Sequence, residues 1–399
     1  MYIIKTVLVV LLGLSIPVST AATNMLCAFA LCLFILEGRF AYKLDYILHH
    51  PIAQASLAVF SLLLLGTLYT SATPAEAWAM VNKYRELAYI PLFLGLFHST
   101  QHQRLGLYAF FTSMLITLAL SYGLVFFDFS TISAIKGNAS NAFVFKNHIT
   151  QGVLFTLTAY FICLYGLKKS PFPLLYGFII IALVYNVLFL SEGRTGYLLL
   201  LCLACLACYQ FYQWRGIVIS FLLLCIAAPL AYLSSDTLRQ RIDNLKKMAE
   251  PSESKVKLSS QYRYDFYKNT LELIQQSPVW IGKGTGSFAQ EYAKIAEQKN
   301  QINTTNPHSD YLMITAQFGY LGLLVFSFFL LQLWRYSYHL EADFGGLAQG
   351  LVVTMIIGGF VNTFWLDNTE GHLFAFLIAL LYANSDKYSF DSLQEPSRL

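Results

Sequence analysis

Hydrophobic positions along the chain fall into runs of about 20 residues broken by short polar punctuation, and a run of that length can cross a hydrocarbon core of about 30 Å as a helix. Twelve runs are predicted, over 2–20, 22–37, 52–70, 86–98, 105–126, 148–167, 172–190, 196–213, 216–234, 310–333, 346–365 and 372–385. The 86–98 and 372–385 runs are short, as expected of tilted, broken or partly protein-buried helices. Between the ninth and tenth runs the pattern changes to amphipathic pieces. "SDTLRQRIDNLKKMAE" carries leucine and isoleucine at helical spacing, and "SSQYRYDFYKNTLELIQQ" opens on serines suited to cap a helix and stops before Ser277-Pro278. A glycine-rich turn, "IGKGTGSF", then leads into "FAQEYAKIAEQKN". These helices are expected to lie against the membrane surface.

The chain therefore reads as an all-α polytopic membrane protein. Nine N-terminal transmembrane helices occupy 1–234, a long loop with amphipathic helices 235–309, three further transmembrane helices 310–385, and a polar tail 386–399. The first run, with Lys5 ahead of it and "VSTAA" behind, has features of a cleaved signal peptide, but eleven further spans favour an uncleaved helix.

Composition agrees: 56% of the 399 residues are hydrophobic and 12% charged, against roughly 25% charged in soluble domains. The net charge of +4 does not point to nucleic acid. Lysine and arginine bias sets orientation. With the N-terminus inside, the inner segments hold ten of these residues, the short outer loops five (Lys83, Arg85, Lys136, Lys146, Arg194), and the long loop the remaining eleven of 26. The loops at 71–85, 127–147, 191–195, 235–309 and 366–371 then share the outer face, where most of the unusual polar residues collect, and both termini are cytoplasmic.

At the end of the long loop, "NPHSDYL" offers Asn306 as a helix cap, Pro307 at the first helical position and His308 in the first turn of the tenth span. A helix N-terminus favours neutral imidazole, the proton-accepting form. Asp310 is a second candidate base, and an interfacial histidine that only hydrogen-bonds the loop is also open. "SEGRTG" sets Arg194 in a short outer turn between apolar spans, a costly position usually tied to a ligand or partner, unless the side chain snorkels to water. "QYRYDFYK" places Arg263 among aromatics that would seat its helix at the interface and leave the guanidinium free for an anion. "KYRELAY" (Lys83, Arg85, Glu86) and "FKNHITQG" (Lys146, Asn147, His148) add cations and polar groups at two more outer helix ends. The sum is an electropositive basin suited to a phosphate-bearing lipid.

Other motifs fall away. "GKGTG" lacks the phosphate-loop pattern and faces the side without ATP. His98 and His102 have i,i+4 spacing but no acidic companion, and they face inward. Cys202, Cys205 and Cys208 share a helical stripe without histidine or carboxylate, which suits packing rather than a metal. No Asp-x-Asp pair of the kind a metal-dependent sugar transferase uses occurs in the early outer loops, so a leaving phosphate must be met by arginine or lysine.

The arginine before the eighth span, the arginine of the long loop and Asn-Pro-His at that loop's end together resemble the O-antigen ligase family. The resemblance is most specific over 258–325, through "RYDFY", "SPVWIGKGTGSF" and "NPHSDYLMITAQFGYLGLL". That signature is shared with O-antigen polymerases and protein O-oligosaccharyltransferases. The resemblance implies a glycosyltransferase C-like fold with a long periplasmic loop in a bacterial inner membrane. It also implies a metal-independent, inverting transfer, without cofactor, from a glycan on undecaprenyl pyrophosphate to a hydroxyl of the lipid A core oligosaccharide in lipopolysaccharide assembly. On that resemblance His308 positions or deprotonates the acceptor, and Arg194 and Arg263 hold the pyrophosphate. Arg85, Lys146 and His148 are assigned to the same donor site. Ser309 stands where many relatives have asparagine. The alternatives are an O-antigen polymerase, then a protein O-oligosaccharyltransferase, then an anionic-lipid transporter. Transporters, however, usually bind near the midplane, whereas the cations here gather at one boundary.

Overall fold

The computed structural model describes residues 1–129, 131–166, 171–220, 222, 225 and 259–383. Its regular elements, among those residues, are helices. They are α1 (Tyr2–Val18), α2 (Thr20–Leu36), α3 (Phe40–His49), α4 (Pro51–Gly66), α5 (Pro74–Lys83), α6 (Glu86–Leu96), α7 (Thr100–Phe126), α8 (His148–Phe161), α9 (Pro173–Tyr185), α10 (Arg194–Tyr212), α11 (Ser259–Gln275), α12 (Phe288–Gln298), α13 (Asp310–Ser337), α14 (Ala342–Val361) and α15 (Asn368–Tyr382). Wider π turns extend α8 over Ile162–Gly166 and α9 over Asn186–Leu190.

Eleven of the twelve predicted runs coincide with a helix; the ninth, 216–234, lies largely outside the described residues, as does the "SDTLRQRIDNLKKMAE" piece. Six described helices are long and apolar enough to cross a membrane, or seven if α2 and α3, bent by 117°, form one broken span. α1 and α4 are apolar but shorter.

α1 packs along α7, α15 against α6, and α8 against α10 and α14. The α8–α10 contact is a glycine crossing: a Cβ on Gly196 would stand 3.3 Å from the Cα of Gly152. Small residues at such a crossing let two apolar helices approach backbone to backbone.

α13 is broken at Gly319, whose φ of 60° and ψ of −158° are not helical. The break frees backbone groups that apolar surroundings cannot solvate, so each needs a partner. Residues 279–286 supply them. Tyr320 N–H donates to Val279 O (2.9 Å), Leu321 N–H to Trp280 O (3.1 Å), Lys283 N–H to Ala316 O (3.3 Å) and Gly284 N–H to Gln317 O (2.8 Å). The Gln317 side chain accepts from Gly286 N–H at 2.6 Å, and Thr285 donates to Leu63 O of α4 at 2.6 Å. "GKGTG" is thus a wedge between α4 and α13. α11 and α12 pack on each other and on α13.

Candidate functional site

α11 packs on α13 and brings Arg263, Phe266 and Tyr267 onto one face by their i, i+3, i+4 spacing. That face meets the loop ahead of α13 and the end of α14. The Tyr267 hydroxyl lies 2.7 Å from Phe360 O and 3.0 Å from His308 O, and the Phe266 ring stacks on the His308 imidazole at 5.9 Å and 26°. Arg263 Nη1 donates to Val361 O at 3.4 Å. Phe266 and Tyr267, read from sequence as interface anchors, therefore turn inward, while Tyr264 is exposed.

His308 is not in the first turn of the helix. α13 begins at Asp310, and its N-cap is Ser309, which accepts from Leu312 N–H and donates to Gly359 O at 3.1 Å. The expected cap, Asn306, is occupied otherwise: its side-chain oxygen accepts from His308 N–H (2.7 Å) and from the Thr363 hydroxyl (2.8 Å). That turn leaves His308 just outside the helix with φ 57°, a left-handed conformation uncommon for a side-chain-bearing residue. Such strained positions cluster at functional sites.

Burial, and then the Arg263 guanidinium, push the half-buried His308 imidazole down to about 4. The helix terminus is therefore not the main cause of its neutrality. Burial likewise works against the charge on Arg263; Tyr267 supports that charge and Arg194 opposes it, so the two arginines lie within electrostatic reach of each other.

The exit of α14 ties these parts together. Asn362 donates through its side chain to Thr195 (2.7 Å), next to Arg194 in the first turn of α10, and its carbonyl accepts from Asp310 N–H (3.1 Å). The Asp310 carboxylate accepts from Phe364 N–H at 3.2 Å and Trp365 N–H at 3.4 Å. Asp310 is buried and spent on this clamp, which argues against it as the base. Arg194 is exposed.

His148 borders the Arg194 turn. Its carbonyl accepts from the Ser191 hydroxyl at 3.4 Å, and a Cβ on Gly193 would come within 2.7 Å of it. Arg85 and Lys146 belong to a neighbouring cluster at the same end. Arg85 donates to Asn24 (2.6 Å) and Asn82 (2.8 Å) and lies 3.8 Å from Glu86. Lys146 donates to Thr20 at 2.6 Å and lines a cavity of about 620 Å³ with Lys136, Asp367 and Glu370. Burial lowers Lys146 to about 8, opposed by Glu370 and reinforced by Lys136. Among the described residues no group of three or more His, Cys, Asp or Glu side chains is placed to hold a metal ion.

Sequence reasoning missed the α14 exit. Asn362 and Thr363 are polar residues at the end of an apolar run, with no signal beyond that.

A helical bundle with several helices long and apolar enough to cross a membrane, with a histidine and two arginines near one end, has the character of a multi-pass membrane protein. Residues 177–327 match the family model described as O-antigen ligase. This match supports the O-antigen ligase family, whose members are glycosyltransferase-like membrane enzymes acting on lipid-linked glycans. The matched segment contains Arg194, Arg263 and His308 and excludes Arg85, Lys146 and His148. No curated protein matches the chain.

Proposed function

We propose that the protein is an O-antigen ligase that transfers a glycan from undecaprenyl pyrophosphate to a hydroxyl of lipid A core oligosaccharide on the periplasmic face of the inner membrane. The observation that carries this reading is the convergence of His308, Arg263 and the Arg194 turn on the exit of α14. A neutral imidazole beside Arg263, with Arg194 within electrostatic reach of that guanidinium, suits displacement of pyrophosphate from a sugar.

The acceptor oxygen attacks the anomeric carbon from the face opposite the pyrophosphate. As the new C–O bond forms, the bond to pyrophosphate breaks and its electron pair leaves on a phosphate oxygen, which inverts the centre. The hydroxyl proton passes to a neutral His308 nitrogen, an assistance worth about 10²–10⁴-fold. Arg194 and Arg263 hold the pyrophosphate and stabilise the charge that grows on it. A dianionic group placed on Arg263 offsets the cation that depresses His308, so donor binding itself makes the histidine a stronger base. His148, beside the Arg194 turn, is assigned to the edge of the donor site. Arg85 and Lys146 are assigned to its outer basin, where they attract anionic substrate rather than touch the leaving group.

The test is complementation of a ligase-null bacterium. Wild type is expected to restore glycan ladders on lipid A core, and His308→Ala, inserted at the same level, is expected to lose them. Rescue only in a polymerase-null strain would move the assignment to the polymerase. Ladders surviving in His308→Ala would sink the base.

A further inference from the structure

A second charged cavity lies at the other end of the molecule. α1 starts at this cavity, through Tyr2 and Lys5, and ends at Val18 in the cavity that holds Lys146. Its 17 residues separate the two by about 25 Å at 1.5 Å per residue. α6 runs in the opposite direction, from Glu86 beside Arg85 to Gly95 in the second cavity. The cavity, of about 210 Å³, is built where the starts of α1 and α7 meet the α2–α3 bend.

Its lining is cationic. Lys5, Arg39 and Lys43 face one carboxylate, Glu37, leaving a surplus of two positive charges. Glu37 is bound by both lysines, at 2.5 Å from Lys5 and 2.9 Å from Lys43. Lys43 is further fixed by Phe34, donating to its carbonyl at 2.7 Å and lying 4.2 Å from its ring centre. Arg39 is exposed at the bend, with φ 53°, and makes no ion pair among the described residues. His102 is 1% exposed; its Nε2 meets the Thr6 hydroxyl at 3.2 Å, and its Nδ1 has no hydrogen-bond partner among the described residues. Two lysines fixed on a single carboxylate and a guanidinium with no ion pair among the described residues supply the positive charge and the donors an anion needs.

The neighbouring surface says which kind. Phe40, Leu44 and Leu48 form an exposed stripe at i, i+4, i+8 on α3, while Lys43, Tyr46 and Ile47 face the bundle. A short amphipathic helix at 117° to the helix before it, apolar on its outer side, suits the plane of a membrane interface. In that placement the cavity would open at headgroup depth.

We propose that this cavity binds a phosphate-bearing anion at the membrane surface opposite His308, supplied by an acidic phospholipid headgroup of that leaflet or by a free phosphate. Basic pockets between helices at such a boundary take lipid phosphates. The site is independent of the transfer chemistry, and no residue assigned to donor or acceptor lines it.

The test is native mass spectrometry of the delipidated full chain offered phosphatidylglycerol, phosphatidylcholine or inorganic phosphate. Phosphatidylglycerol is expected to be retained over phosphatidylcholine, and Arg39→Gln, with unchanged melting, to bind about tenfold more weakly. Inorganic phosphate bound alone and displacing the lipid, with the same loss in Arg39→Gln, would identify the free anion as the source. No preference for phosphatidylglycerol together with no phosphate bound would overturn the proposal. So would wild-type affinity in both Arg39→Gln and Lys43→Gln.

Discussion

At the scale of residues, the strength of His308 as the proposed base depends on what stands beside it. It accepts a proton only when neutral, and burial with Arg263 holds it near 4, so it stays neutral at physiological pH. On the acid side kcat/KM is expected to fall as pH drops through about 4. The kcat limb, read with pyrophosphate on Arg263, is expected at higher pH. Arg263→Gln removes a like charge, so it should raise the histidine toward its ordinary value and move the kcat/KM limb to higher pH. The same change should cost about 10²–10³-fold in rate. A limb that does not move would show that Arg263 does not act on His308. The Asn-Pro-His junction made this histidine legible in the sequence. Its place outside the helix was not, because Asn306 is drawn away by Thr363, 57 residues further on.

At the scale of elements, hydrophobic runs located the helices well, since burial and span length both write themselves as long apolar stretches. α3 was read as an inner loop because its ten residues mix lysine and aspartate with an apolar stripe too short to stand out. The break in α13 was equally hidden, since its partners come from a loop of different sequence distance. Two substitutions test these parts. In Gly319→Ala the new Cβ would meet Val279 O and the Trp280 carbonyl carbon at 2.5 Å, with φ still positive, and a loss of about 1–3 kcal/mol or more is expected in thermal unfolding. Asp310→Ala strands two buried N–H groups, at about 1–3 kcal/mol each. A lower melting temperature should therefore accompany any lost activity. Full loss of transfer at unchanged melting would make Asp310 the base instead.

At the scale of the whole molecule, two charged regions stand at opposite ends of the same helices, one proposed to hold the pyrophosphate of the donor and the other a phosphate-bearing anion. Charge bias assigns the His308 end to the outside. In a cysteine-free background, a cysteine at exposed Asn303 should react with a membrane-impermeant maleimide in intact spheroplasts, and one at exposed Asp45 only after permeabilisation. The reverse pattern would invert the topology. Run length alone does not count crossings, because helices such as α6 and α15, of 11 and 15 residues, are apolar and buried in protein along most of their length.

The central claim, that His308 and two arginines form one glycosyl-transfer site, is tested most directly with purified protein in proteoliposomes, supplied with undecaprenyl-pyrophosphate-linked glycan and lipid A core. The account predicts an inverted glycosidic bond to core with wild type. It predicts loss of about 10²-fold or more in each of His308→Ala, Arg263→Gln and Arg194→Gln, with melting preserved. Transfer at wild-type rate in the His308 variant, or retention of anomeric configuration in the product, would contradict it.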